Sequence, residues 1–231
     1  MKTILSPILL LVALPACRAT AFRNLDFQVP NALALTAAGP GGVVQVNDAI
    51  PGWQVQRGDE PMAVMFYNNF CLTCPGASLY GPEKPRRGDT FSFSINAGAT
   101  YDGPKPTYFS ESVHQTGDVP QDAHSLQFVG SLGDRLDLLH VYLGGQELPL
   151  VTLESAGSKR QFGADVTAWA GKTAELRFTI DPVVTSLPSF SSVGLGDIRF
   201  SPVALVPEPS TWALLGVGGA FLLMVARSRK A

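Results

Sequence analysis

Thr173-Ala174-Glu175-Leu176-Arg177-Phe178-Thr179-Ile180-Asp181 decides the fold class. Ala174, Leu176, Phe178 and Ile180 fall on one side of an extended chain, and Glu175, Arg177, Thr179 and Asp181 on the other. That is the period of a strand with one face buried. Phe91, Phe93 and Ile95 alternate with Ser92 and Ser94 in the same way, and Leu126 and Phe128 flank Gln127. Residues 136–143 and 147–153 are separated by Gly144-Gly145-Gln146, which predicts a hairpin because glycine accepts positive φ at the turn. Ile198 and Phe200 mark a last strand. Gly39-Pro40-Gly41-Gly42 and Asp102-Gly103-Pro104-Lys105-Pro106 read as turns. No segment of the body carries a sustained helical period with start and stop signals, and no repeat of about 20–50 residues is present. The expectation is one all-β domain, an antiparallel two-sheet sandwich.

The ends are made differently from this middle. Met1–Ala21 has Lys2, an apolar stretch from Ile4 to Leu14 that is short for a bilayer, and the small-x-small triplet Ala19-Thr20-Ala21. These are the three parts of a signal peptide, with cleavage by signal peptidase expected after Ala21. Leu14-Pro15-Ala16-Cys17 is only loosely like a lipoprotein signal, and Pro15 fits that pattern poorly. At the other end, Val206-Pro207-Glu208-Pro209-Ser210 precedes the apolar run 212–226 and the basic tail 227–231. Pro207 and Pro209 block helix continuation, so this piece should be extended and accessible. Fifteen helical residues span about 22 Å, short for a hydrocarbon core of about 30 Å. Trp212 suits an interfacial anchor, and the basic tail should stay cytoplasmic, leaving the preceding chain outside.

This tripartite end resembles the PEP-CTERM sorting signal of Gram-negative bacteria, its motif standing here as Pro207, Glu208 and Pro209. The resemblance implies recognition by an exosortase, a membrane cysteine transpeptidase-like enzyme. The protein would be anchored in the membrane through its C-terminal helix before processing, then released or attached at the cell surface. The expected division is a signal peptide over 1–21, a β-sandwich over 22–203 and the sorting signal over 204–231.

The 231 residues are 45% hydrophobic and 16% charged, with 17 basic and 19 acidic side chains. Much of the basic charge lies at the ends. Residues 22–203 keep 12 basic against 18 acidic residues, a net of −6, so the body should repel nucleic acid.

A second resemblance rests on Asn24-Leu25-Asp26-Phe27 with Ile50-Pro51-Gly52-Trp53, on Phe162–Gly171 leading into the strand that ends at Ile180, and on Gly194–Phe200. These anchors are similar to those of galactose-binding-like jelly rolls in secreted bacterial proteins, and they imply a jelly-roll topology. Gln28 stands where such openings often have an acid, and Gly196-Asp197 where two acids are common. Both departures weaken the structural calcium that the resemblance implies, and no other cofactor is expected.

Candidates for chemistry are sparse. Cys71 and Cys74 are the one close pair, and in an oxidising compartment they read as a local disulfide or free thiols. Redox use would want a helix N-terminus, and zinc two more ligands. His114 and His124 sit near Glu111, Asp118 and Asp122 at no ligand spacing and read as solvated loop residues; His140 reads as a packed strand residue. Asp134 with Asp137, or Asp59 with Glu60, could pair as an acid and a base, but the separation such chemistry needs is not a sequence property. No nucleophile elbow, metalloprotease helix or phosphate loop occurs. Trp53 looks like a core plug and Trp169 like a corner anchor. Tyr80, Tyr101 and Tyr108 are the candidates for stacking on sugar rings. Lys84, Arg86 and Arg87 make a small basic patch of the solvated-loop kind.

The reading is a non-catalytic, exported surface or extracellular-matrix protein sorted by exosortase. The alternative is an exopolysaccharide-binding module, and the third reading a secreted hydrolase.

Overall fold

The computed structural model describes residues 20–69, 76–81, 90–100, 105–132, 136–184 and 190–205. In chain order the strands are β1 (Val43–Gln45), β2 (Gln54–Arg57), β3 (Glu60–Met62), β4 (Val64–Tyr67) and β5 (Gly76–Tyr80). β6 (Ser92–Thr100), β7 (Thr107–Phe109), β8 (Glu111–Asp118), β9 (Ser125–Leu132) and β10 (Leu139–Leu143) follow. β11 (Gln146–Glu147), β12 (Val151–Ala156), β13 (Lys159–Asp165), β14 (Thr173–Ile180) and β15 (Ser191–Ser201) complete the body. One sheet runs β1-β4-β5-β6-β15-β9-β13-β12, with β7 paired to β6; the other runs β11-β10-β14-β8-β2-β3. Among the described strands every pairing is antiparallel except β4 with β5. This is the expected all-β, two-sheet architecture.

Apolar residues of both sheets meet in one core. Phe128 of the larger sheet packs edge-on against Phe178 of the smaller, centroids 5.1 Å apart, and Trp53 lies 6.4 Å from Phe178. Burial alternates along β14 from Ala174 to Ile180 as its sequence dictates. Trp53 plugs the core just before β2, its indole Nε1 donating to the carbonyl of Asn24 at 3.0 Å. The buried Phe27 stacks on Phe93 at 4.4 Å with φ +59°, a conformation a phenylalanine adopts only where packing over-determines it.

The Gly144-Gly145 turn joins β10 to β11 with Leu143 opposite Gln146, both glycines at positive φ, as a two-residue hairpin requires. Beyond it the expected second arm divides. Residues 146–147 stay in the smaller sheet, and Val151–Ala156 crosses to the edge of the larger one. Trp169 covers this turn, its Nε1 only 2.7 Å from where a Cβ on Gly144 would stand.

Three sequence expectations need correction. A short α-helix, α1 (Ala32–Ala38), is present, with Asn31 capping Ala34 N–H and Gly39 closing its end. A second, α2 (Val46–Ala49), follows β1. β6 is not half-buried: it is flanked by β5 and β15, and its serine face (Ser94, Asn96) is as withdrawn from water as its Phe93–Ile95 face. Residues 111–118 form β8, between β14 and β2, and are not a loop.

Thr20 and Ala21 lie against β8: Asp118 N–H donates to the Thr20 carbonyl at 3.1 Å, and Ala21 bridges to Asp118. Among the described residues no helix is long and apolar enough to cross a membrane. The apolar run 212–226, the PEP triplet and the first nineteen residues lie outside the described residues.

Candidate functional site

On the outer face of the larger sheet, cross-strand register sets Ser78, Ser94, Gly194, Ser131 and Lys159 in one row. Four of these five side chains are a hydroxymethyl or a hydrogen; Ser78 and Ser94 are buried, and the row reaches solvent at Ser131 and Lys159. Gly194 leaves no room for more, since a Cβ there would stand 2.4 Å from Ser131 Oγ. The buried Ser78 Oγ, Ser94 Oγ and Asn96 Oδ1 have no hydrogen-bond partner among the described residues.

Ser131 and Lys159 of this row line a cleft of about 510 Å³. Ser92, Val129, Ser131 and Gly196 belong to its floor strands; Asp26 and Gln28 come from the N-terminal loop, and Ser158 and Lys159 from the β12–β13 turn. Asp197 completes it. Pairing of β15 with β9 slips between Gly196 and Arg199, and this bulge carries Asp197 at φ +51°. The slip keeps Ile198 in the core while exposing the Asp197 carboxylate. A second hollow of about 200 Å³, lined by Glu154, Arg160 and Gln161, shares Val129, Lys159 and Asp197 with the first. The two make one polar groove across the sheet.

The N-terminal wall is fixed from both sides. Gln28 Nε2 donates to the Phe91 carbonyl and Phe91 N–H donates to Gln28 Oε1, each at 2.8 Å. Asp26 Oδ1 accepts Gln28 N–H at 3.2 Å. The structure thus brings the two departures, Gln28 and Gly196-Asp197, to one place. Gln28 Oε1 is committed to Phe91 and Gly196 has no side chain, so Asp26 and Asp197 are the two carboxylates at this place. Among the described residues no group of three or more His, Cys, Asp or Glu side chains could hold a metal ion.

The tyrosine candidates are not gathered. Tyr80 is only 6% exposed on β5 and presents no ring to solvent. Tyr108 is half-buried on β7, and Tyr101 lies outside the described residues, as do Cys71, Cys74, Asp134, Lys84, Arg86 and Arg87. Phe91, half-buried, is the aromatic ring that lines the groove among the described residues.

The remaining titratable candidates are dispersed. Glu111 is fully buried on the core side of β8, with Arg57 Nε 3.9 Å from its Oε2, and burial pushes its carboxyl up to about 8 against the pull of Arg57. His114 is 6% exposed on the outer side of the same strand; burial holds its imidazole below the ordinary value, helped by Arg177. Neither is the solvated loop residue the sequence suggested, because both belong to a strand between two others. His124 is exposed, with Nδ1 3.4 Å from Thr167 Oγ1. Asp165 accepts the Thr167 N–H at 2.8 Å, which holds its carboxyl below the usual range.

His140 is half-exposed between two carboxylates, Nδ1 2.7 Å from Glu147 Oε1 and Nε2 3.4 Å from Asp181 Oδ2. Opposite ring nitrogens face the two acids, so one metal ion could not gather all three. Asp137 lines the hollow beside them. Asp59 and Glu60 sit at the exposed tip of the β2–β3 hairpin, where no cleft separates them.

The chain is similar in structure to the K2 cleaved adhesin domain of Lys-gingipain, with 10% identity and a TM-score of 0.38 over 76% of this chain and 99% of that one. It is also similar to TmCBM61, solved with beta-1,4-galactotriose, with 8% identity and a TM-score of 0.35 over 79% and 97%. A third similarity is to the enzymatically active domain of bacteriophage CBA120 tailspike protein 4, with 11% identity and a TM-score of 0.34 over 65% of this chain. This chain spans only 19% of that tailspike domain. No curated protein sequence matches the chain. Residues 205–230 match the PEP-CTERM protein-sorting motif, so the polypeptide ends in the sorting signal on which exosortase acts.

Proposed function

We propose that this is an exported, non-catalytic surface component whose sandwich holds a neutral, hydroxyl-rich polysaccharide in the groove of the larger sheet. The sorting motif at 205–230 supports export and exosortase processing. In this reading the signal peptide ends at Ala21, the helix 212–226 anchors the precursor, and the topology is a jelly roll. The observation that carries the binding reading is the continuous groove itself. At about 510 Å³ its larger part falls in the range of ligand sites. The polar groups of that larger part are hydroxyls, the Gln28 amide, two carboxylates and one ammonium, a set that exchanges hydrogen bonds with vicinal diols. The net −6 of the body disfavours a polyanion at long range.

The test is a glycan array probed with the body, residues 22–203, followed by titration of the best ligand against Asp26→Ala and Asp197→Ala. Binding lost in both variants supports the groove. Binding that survives both but fails in Tyr101→Ala or Tyr108→Ala moves the site to the tyrosines. A body that binds no glycan overturns the reading, and turnover lost on one carboxylate substitution would make the protein a hydrolase.

A further inference from the structure

We propose that the folded body holds the approach to its own sorting motif, and that exosortase acts once this segment leaves its seat. The inference rests on the sorting match and not on the glycan reading.

After β15 ends at Ser201 the chain stays on the sheet. Val203 N–H donates to Ser201 Oγ at 3.1 Å, and the Val203 carbonyl accepts from Ser125 Oγ at 2.7 Å. Ser125 is fully buried, so this hydroxyl is fixed in the fold. Leu205 then lies over Gly163 of β13. A Cβ on Gly163 would stand 2.7 Å from Leu205 Cδ2 and 3.2 Å from Cδ1, with Leu153 Cδ1 at 3.1 Å. The missing side chain of Gly163 is therefore the seat, Leu153 its wall and Leu205 its occupant.

The sorting motif begins where this contact is made, at residue 205, and Pro207 follows after one residue. Recognition of an extended peptide uses its backbone hydrogen bonds and alternate side chains, which a flank held on the body cannot offer. With Leu205 seated, Val206 alone separates the held residue from Pro207 in the sequence. Released back to Ser201, the motif gains a free flank of five residues, 202–206, and about 20 Å of reach. The hold is one half-buried leucine and two hydrogen bonds of Val203, one of them local to the segment, weak enough to open reversibly. The exosortase step itself breaks one peptide bond of the tail, the new acyl group passing to water or to a surface nucleophile. The seat governs only access to that bond.

The experiment follows tail release by pulse-chase and intact mass for the full-length chain in an exosortase-bearing host. In Gly163→Ala the atoms nearest the new methyl are the ends of the Leu205 and Leu153 side chains, so Leu205 must shift from its seat. Ser125→Ala deletes the hydrogen bond. A Gly-Ser-Gly-Ser insertion between Leu205 and Val206 frees the flank while leaving the seat filled. Each should speed release by roughly three- to tenfold, the effect of one net hydrogen bond on the docking equilibrium, and the insertion should add nothing to Gly163→Ala. An unchanged rate with the insertion overturns the proposal, as does slower release in a Gly163→Ala protein that melts like the parent. Should Gly163→Ala fail to fold, the insertion decides alone. A tail uncut in every variant overturns the sorting reading instead, and glycan binding is indifferent to all these changes.

Discussion

Gln28 and Phe91 are joined by two reciprocal hydrogen bonds, side-chain amide to backbone amide, each at 2.8 Å. The glutamine thus acts as a one-residue strand on the edge of the segment entering β6. It closes the N-terminal wall of the groove from 63 residues away.

Only an amide can both donate and accept there. Gln28→Glu keeps an acceptor for Phe91 N–H but sets a carboxylate oxygen against the Phe91 carbonyl, and should cost about 1–2 kcal/mol. Gln28→Met, which leaves both Phe91 groups to water, should cost a similar amount. Urea denaturation of the body reads both. A Gln28→Glu protein as stable as the parent would mean that the clasp does not hold the wall.

Glu111 gives the fold a pH dependence whose sign follows from its burial. The folded carboxyl titrates near 8, raised from its ordinary 4.5 chiefly by desolvation, with Arg57 opposing. The folded state therefore holds a proton that the unfolded chain gives up. The contribution is fully present below about pH 4.5 and is lost as pH rises through about 8, with up to about a tenfold fall in the folding constant per pH unit between them. Above pH 8 this group adds no further slope. Glu111→Gln keeps the neutral shape and should flatten the profile, making the variant the more stable protein at pH 8. Denaturation midpoints from pH 5 to 9 check this, and parallel profiles would refute it.

The two glycines of the β10–β11 turn differ in what surrounds them. Both have positive φ, but only Gly144 has Trp169 against it; nothing stands within 4 Å of a Cβ on Gly145. Gly145→Ala should cost about 1 kcal/mol for the left-handed backbone. Gly144→Ala carries that strain and must also displace the indole, so about 2–3 kcal/mol is expected. Thermal melts of the pair measure the difference, and equal losses would show that Trp169 is not set by the turn.

What the sequence made legible was where one face of a strand is apolar and the other polar. β14 shows this plainly, and so does the glycine pair of the hairpin. β8 was hidden because its core-facing residues are Glu111, Val113, Gln115 and Gly117, of which one is a large apolar residue. Gln115 is buried there to grip the Arg23 backbone through both ends of its amide, a task that no periodicity announces. β12 was split from its hairpin because all six of its residues are exposed at a sheet edge. α1 did carry its signals, Asn31 and Gly39, but buries only Leu35 and so shows no helical period. The groove was illegible for a different reason. Two of its carboxylates, Asp26 and Asp197, come from opposite ends of the body, and its floor is made largely of small residues, Ser92, Ser131 and Gly196.

Asp197 separates stability from binding in a single residue. It sits at φ +51°, where aspartate is tolerated and glycine is favoured, on the bulge that turns its carboxylate into the groove. Asp197→Gly relieves the backbone and should leave the body as stable as the parent, or up to about 1 kcal/mol more stable. The same change removes a charged hydrogen-bond acceptor from the ligand and should weaken glycan binding by roughly tenfold or more. Asp197→Ala loses the same acceptor but keeps the strain, so it should bind as poorly while melting no higher than the parent. Asp197→Asn retains the shape and one acceptor oxygen, and should fall between parent and Asp197→Ala in affinity. A residue kept in a left-handed bulge for packing alone would show the reverse order. Asp197→Gly would then melt below the parent, and affinity would follow stability across the three variants.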